Sequence, residues 1–428
     1  METELEAILS TVVQKTTSLT ARLKAENMIQ PTFDASGYGA YKGESTLLRQ
    51  TRYELTEAAR DLLRLAQGPE DEILQMALCS ADTSNLATVL RFDIATSIPI
   101  EGPIEAEVLA DKVGLPLTVL LRIVRYAIGN GLFIEPAPEV FAHSAASAYL
   151  AQSQDLSAVG RMTTGWGAKN MLCIPKWLKQ QQQQGDAGPQ APFNVAFPEY
   201  ENVFEQMDKD PEVAKDYHAY MTGRAGLYRY SHANLAGAWD WSTVGAKTIV
   251  DVGGSAGHSC LALADACLEA KFIVQDVNTV ALEQGRQAMQ SLPPTVTERV
   301  TFEQYDFFTP QKTVGDIYIF RHILHDWSDE NSVQIVKSLV PALRSGATVL
   351  VCEGIMPEPP AKKANTWDRK QFLFEDMAMM CSHNARERTV EHFVRLFKEA
   401  DCRFEYMRTT GGQNGAFLSV VEFRFNVD

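Results

Sequence analysis

Thr248-Ile-Val-Asp-Val-Gly-Gly-Ser-Ala-Gly-His258 joins a short apolar run to a glycine turn and then to a helical pattern. Read as strand, turn and helix, it is the opening of a parallel sheet that presents backbone N–H groups to a nucleotide. Gly253, Gly254 and Gly257 follow the G-x-G-x-x-G idea loosely. They have two uses, positive φ in the turn and room for a ligand to approach the backbone. Working outward, Lys271–Asp276 is a second apolar strand ending in an acid. Asp276 lies close to the separation of about 20 residues at which a carboxylate grips ribose hydroxyls, so an adenosine moiety is expected. Val300–Tyr305 then runs into Asp306-Phe307-Phe308, an acid and an aromatic pair that suit an adenine pocket. Asp316–Phe320 leads into Arg321-His-Ile-Leu-His325-Asp-Trp-Ser-Asp329, and Ala347–Cys352 is followed by Glu353. Polar residues at several strand ends define a site on the carboxyl edge of a Rossmann-like α/β sheet.

Composition sets the outer bounds. At 428 residues with 45% hydrophobic content the chain can bury a large core, and its length favours two or three domains. The net charge of −15 repels nucleic acid and anionic membrane. The seven cysteines, at 79, 173, 260, 267, 352, 381 and 402, show neither C-x-x-C spacing nor histidine pairing, so they read as reduced, core-type thiols and no metal site is expected. The acidic start Met1-Glu-Thr-Glu-Leu-Glu-Ala and the lack of an 18-residue apolar stretch lead to the expectation of a cytoplasmic protein.

Three regions are expected: 1–150, helical and winged-helix in pattern; 151–235, a helical linker with a low-complexity loop; and 236–428, the α/β domain. Within the first, residues 1–30 and 47–82 read as amphipathic helices. Ile104 to Val113 reads as a helix closed by Gly114, followed by a second helix with apolar Leu117, Leu120, Leu121, Val124 and Ile128. Leu132–Glu135 and Val140–His143 make a short hairpin, and together these elements form a winged-helix pattern. Arg122 and Arg125 are too few cations for a nucleic-acid module. Gln180 to Gln184 and the Gly/Pro residues after it read as a mobile surface loop. Beyond Glu353, Pro357-Glu-Pro-Pro360 and Ala361-Lys-Lys read as an exposed loop, and Phe404–Met407 with Phe417–Phe425 as a final antiparallel pair.

Val250-Asp-Val-Gly-Gly, Gln275-Asp276, Asp306-Phe307, Ile323-Leu-His-Asp-Trp-Ser-Asp329, Cys352-Glu-Gly-Ile-Met-Pro357 and Arg386-Glu-Arg-Thr389 stand in a telling order. Over roughly residues 75 to 425 the chain resembles the S-adenosylmethionine-dependent O-methyltransferases of plant phenylpropanoid and fungal polyketide metabolism. The resemblance implies a class I methyltransferase domain behind an N-terminal dimerisation domain, and a homodimer. It implies that Gly253, Gly254, Asp276, Asp306, Phe307 and Arg321 hold the cofactor. It also implies that His325 is the general base, with Glu353 and Glu387 flanking its imidazole, and that Tyr217 and Met221 contact substrate or methyl donor. Two residues depart from the family pattern: Ser255 stands where a third glycine is usual, and Arg321 where a lysine is frequent. Trp166, Met377 and Met380 would line an apolar acceptor pocket.

A sulfonium methyl is already a strong electrophile, so the protein has to align it with an oxygen and take the proton from that oxygen. A phenol titrates near pH 10, and a positioned imidazole aids its ionisation by about 10²–10⁴-fold. A carboxylate on the other ring nitrogen fixes the tautomer, and Glu353 at the next strand end is placed to reach it. The expected reaction is O-methylation of a small aromatic or enolic metabolite. The competing class is a set of fungal proteins resembling this family, which bind the cofactor and use its sulfonium as a fixed charge for dehydration or pericyclic closure of polyketide-derived pyridones. Such relatives tend to replace the base histidine with a cationic residue. Retention of His325 with both glutamates favours methyl transfer.

Overall fold

The computed structural model describes residues 2–357, 366–412 and 416–427. The chain divides into two compact units. One holds the residues up to Lys169 together with Met207–Arg224, the other Asn170–Gln206 and the chain from Ala225 onward. The segment 151–235, which the sequence sets apart, supplies residues to both.

In the first unit the helix Glu4–Ala25 starts at a capping box, in which Thr3 and Glu6 satisfy each other's backbone donors. A long helix, Thr46–Arg91, follows from the cap Ser45 and breaks its geometry at Gly68, which takes φ of 73° ahead of Pro69. The helices Ala106–Val113 and Leu117–Gly129 turn on Gly114 and Pro116 and bury Leu109, Leu120 and Val124. Strands β1 (Ile104–Glu105), β2 (Ile134–Ala137) and β3 (Val140–Ala142) form an antiparallel sheet in the order β1-β3-β2. Ile104 and Glu105, expected at the start of a helix, instead pair with Phe141 and Val140, because this short extended piece closes the edge of the hairpin.

The second unit is built on a sheet of β4 (Thr248–Val252), β5 (Lys271–Asp276), β6 (Val300–Gln304), β7 (Ile317–Arg321), β8 (Thr348–Gly354), β9 (Phe404–Gly411) and β10 (Leu418–Phe425). Its order is β6-β5-β4-β7-β8-β10-β9, parallel except for β10, which runs antiparallel to both neighbours. Strands covered on both faces read as unbroken apolar runs. Val250 and Val252 face one core with Tyr318, Phe320 and the helices Asp329–Leu339 and Val390–Ala400. Ile249 faces the other with Ile317, Ile319 and the helices His258–Leu263 and Thr279–Met289. The strand order reverses direction at β4 and β7, and a ligand crevice opens at the carboxyl ends of strands flanking such a switch.

Gln180–Gln184 is not a loop. It completes the helix Ile174–Gln184, because glutamine is a good helix former and Trp177 Nε1 and Gln181 Nε2 both donate to the Pro189 carbonyl, tying the helix end down. Cys260, Cys267, Cys352 and Cys381 are buried as core thiols should be, but Cys79 and Cys402 are on the surface. The exposed loop expected after Pro357 lies outside the described residues. Among the described residues no helix is long and apolar enough to cross a membrane.

Candidate active site at the carboxyl edge of the sheet

At the end of β4, Gly253 takes φ of 76° and Gly257 of 81°. A side chain at Gly253 would collide with Ile323, and one at Gly254 would sit 2.7 Å from the Asp251 carboxylate and 2.9 Å from Val274. The glycines are therefore required by close packing. Their N–H groups do not face outward as the sequence suggested: those of Gly253 and Gly254 donate to the Gln275 carbonyl at 2.8 and 2.9 Å, and that of Gly257 to Gly254. The parallel pairing of β4 with β5 continues past the strand ends, so the turn offers a ligand space rather than donors. Ser255, in place of a third glycine, is held at φ of 51° and donates its N–H to Asp276 Oδ2 at 2.9 Å. Asp276 Oδ1 accepts from Asn278 at 2.8 Å, and each oxygen keeps a lone pair for a hydroxyl.

Phe307 packs edge-on against Trp327 at 5.9 Å and lies against the glycine turn, while Asp306 accepts the Phe308 N–H at 2.9 Å. Arg321 ends β7, and its charge is felt by the buried Asp251. Burial pushes that carboxyl up to about 6, against the pull of Arg321. Glycine turn, Asp276, Asp306, Phe307 and Arg321 thus line one edge of one sheet. They fit an adenosine-bearing cofactor, with acid for ribose, aromatic face for base, and bare backbone for close approach.

His325 sits in the 3₁₀ turn Leu324–Asp326 that follows β7 and is buried. Its Nδ1–H donates to Glu387 Oε1 at 2.8 Å, the carboxylate being the only possible acceptor of that pair. Its Nε2 lies 3.5 Å from Asp326 Oδ1. Glu353 does not touch the ring as the sequence suggested. It ends β8 facing the turn from below, and its Oε1 accepts the successive N–H groups of Ile323, Leu324 and His325 at 3.2, 2.7 and 3.3 Å. The carboxylate holds the main chain of the turn, and Glu387 alone takes the ring. Burial raises the Glu353 carboxyl above the usual range, with His325 pulling it back. For His325 burial alone would depress the imidazole, but the carboxylates of Glu387, Asp326 and Glu353 outweigh it and hold the group at about 10.

The sequence reads a helix from Gln371 to Met380 that brings Glu375 and Asp376 toward the site, whereas the placing of His322 and Arg388 has no counterpart in that reading. Asp376, on the helix Trp367–His383, accepts the Glu387 N–H at 2.9 Å and so places the acid that orients the base. His322, at φ of 53°, sets its ring 5.2 Å from His325 and 6.1 Å from Phe417. Arg388 is fully buried beneath the turn. Only the ordered pair Glu387-Arg388 hinted at this, since nothing in a sequence tells which carbonyl a guanidinium will reach. Met377 and Met380 lie on the helix that carries Asp376, whereas Trp166, Tyr217 and Met221 belong to the other compact unit. Among the described residues no group of histidine, cysteine and acidic side chains could hold a metal.

Residues 176–403 match the model of the O-methyltransferase domain. Along its length the chain is similar to the grayanic acid biosynthesis cluster O-methyltransferase of Cladonia grayi, 30% identical over 99% of this chain and 88% of the relative. In fold it is similar to OxaC solved with SAH and oxaline, with a TM-score of 0.76 at 20% identity over 99% of both chains. It is also similar to a structure described as a pericyclic reaction enzyme, with a TM-score of 0.71 at 20% identity over 88% of this chain and 94% of the other.

Proposed function

This chain belongs to the O-methyltransferase domain family, and from that membership we propose that it methylates a hydroxyl of a small aromatic or enolic secondary metabolite, with His325 as general base. It is an S-adenosylmethionine-dependent enzyme of a family with fungal biosynthetic members. Bound S-adenosylmethionine supplies an electrophilic methyl on a positively charged sulfur. Asp276 would bind the ribose, Asp306 and Phe307 the adenine, and Arg321 the cofactor's amino-acid end beside the bare turn at Gly253 and Gly254. Met377 and Met380, on the helix Trp367–His383, are proposed to contact the acceptor.

The observation that carries the base assignment is the 2.8 Å bond from His325 Nδ1–H to the buried Glu387. It commits the proton to Nδ1 and leaves Nε2 as the nitrogen that takes a proton from the acceptor. Once the acceptor is ionised, the remaining requirement is alignment of oxygen, methyl carbon and sulfur. Glu353 serves this indirectly, by fixing the turn on which the base stands.

The likeness in fold to a pericyclic reaction enzyme keeps a second reading in view, in which the cofactor's charge assists a ring closure and no methyl moves. The two readings differ in one product. Incubation with methyl-labelled cofactor and a panel of phenols and pyridones should give one equivalent of S-adenosylhomocysteine per product. Product formed without it would overturn methyl transfer.

A homodimer is proposed as well. Leu5, Leu9 and Val13 on the first helix and Leu63, Ile73, Leu74, Met76 and Leu78 on the second are large apolar residues left exposed. Such a face is more stable buried against a two-fold copy. Sedimentation at micromolar concentration is expected to report about twice the 47.5 kDa chain mass. A fully active monomer would exclude an obligate dimer.

A further inference from the structure

Arg388 is adjacent in sequence to the acid that orients the base, yet its side chain lies on the other side of the turn. Its backbone makes an isolated parallel bridge with Ile355, just beyond β8, and its carbonyl accepts the Met356 N–H at 3.0 Å. Along backbone paired in this way, successive side chains point to opposite sides. Glu387 therefore reaches the ring of His325, while Arg388 passes beneath the main chain that carries it.

The side-chain hydrogen bonds of Arg388 fall within one short segment. Nη1–H donates to the Leu324 carbonyl at 2.6 Å, and Nη2–H to the Trp327 carbonyl at 2.8 Å, to Ser332 Oγ at 3.2 Å and to Asp329 Oδ1 at 2.9 Å. Nε–H donates to the same Asp329 oxygen at 3.0 Å. Leu324 precedes the base and Trp327 closes its turn, so the guanidinium spans His325 from both ends. The outer oxygen of Asp329 lies 2.9 Å from His392 Nε2, on the helix that begins at the cap Thr389.

We propose that Arg388 is a positioning residue for His325, with Asp329 and His392 holding its guanidinium in place. The residue pair Glu387-Arg388 then grips ring and main chain together, so that the Nδ1–H bond and the direction of Nε2 are set as one unit. A planar fork with five donors suits two carbonyls and a carboxylate at once; an ammonium cannot span them. A buried cation confined to packing could be replaced by apolar groups at little loss, whereas one aligned on two carbonyls beside the base affects the rate through geometry. The inference rests on the reading of His325 as the base.

The test uses the Nδ1–H proton itself. In the complex with S-adenosylhomocysteine, the proton shared with Glu387 should give a protected, far-downfield NMR resonance, and His325→Ala should remove it. Arg388→Lys is expected to speed exchange of this proton with solvent by at least about tenfold. It should also lower turnover of any methylated phenol by on the order of 10²-fold, with the KM for the methyl donor unchanged. Asp329→Asn, at a half-exposed side chain that should tolerate the change, is expected to act in the same direction but less strongly. Unchanged proton exchange and turnover in both folded variants would overturn the proposal even if their thermal stability fell, since that result is the mark of packing alone. Unchanged methyl transfer in His325→Ala would instead refute the base assignment, and the proton measurement would still report on Arg388.

Discussion

Replacing His325 with alanine is expected to leave affinity for S-adenosylmethionine close to that of the unaltered protein and to lower methyl transfer by about 10²–10⁴-fold. The affinity should survive because the glycine turn, Asp276, Asp306 and Phe307 lie at the ends of other strands, and because Glu353 bonds the main chain of the turn, which alanine retains. The rate should fall because the imidazole held with Nδ1–H on the buried Glu387 at 2.8 Å is removed. With Glu387, Asp326 and Glu353 around it, His325 titrates at about 10 and is protonated at neutral pH. It can accept a proton only after losing its own. On the proposed reading, a bound sulfonium near the ring would lower that barrier by disfavouring the protonated imidazole. In the alanine variant the rate should recover partly as pH rises towards the ordinary phenol value near 10, where the acceptor ionises unaided. Steady-state rates from pH 6 to pH 10.5 check both features. A loss smaller than about tenfold at neutral pH would remove His325 from the role of base.

The sheet was legible because its strands are short apolar runs ending in turn residues, and each of the strands β4 to β8 lies within a residue or two of its expected place. The site was legible in part, since Asp276, Asp306, Arg321 and His325 are polar residues at or just beyond strand ends, and register brings such residues to one edge. Partner choice was not legible. Whether Glu353 would meet an imidazole or three backbone N–H groups depends on the path of the turn above it, which no spacing records. The outward N–H groups expected at Gly253 and Gly254 were claimed by Gln275, because the pairing of β4 with β5 runs one step past the residues that look like strand. Gln180–Gln184 is opaque for a different reason: low complexity does not by itself mean irregular backbone, and glutamine has good helix propensity. Arg388 escaped notice because its meaning lies in carbonyls more than sixty positions away, and carbonyls leave no trace in a sequence.

Glu387→Gln should reveal the same cluster through stability, with a dependence on pH that follows from the direction of the His325 shift. His325 titrates near 6.5 when unfolded and at about 10 when folded, so the folded state binds the proton more tightly. The stability this contributes is fully present below pH 6.5 and is lost as pH rises through 10. Breaking a buried ion pair by removing one partner costs about 3–5 kcal/mol, because the remaining charge is left without its counterion. Glutamine can still accept the Nδ1–H, so the loss is that of the charge rather than of the hydrogen bond. Two anions, Asp326 and Glu353, continue to face the imidazole, which places the expected cost at the lower end of that range. Urea denaturation at pH 6 should therefore show the variant less stable by about 3 kcal/mol, and the difference should shrink towards zero above pH 10 as the unaltered protein loses its own proton. A deficit of the same size at pH 6 and pH 10.5 would mean that Glu387 acts by packing, and that the raised titration of His325 does not arise from this pair.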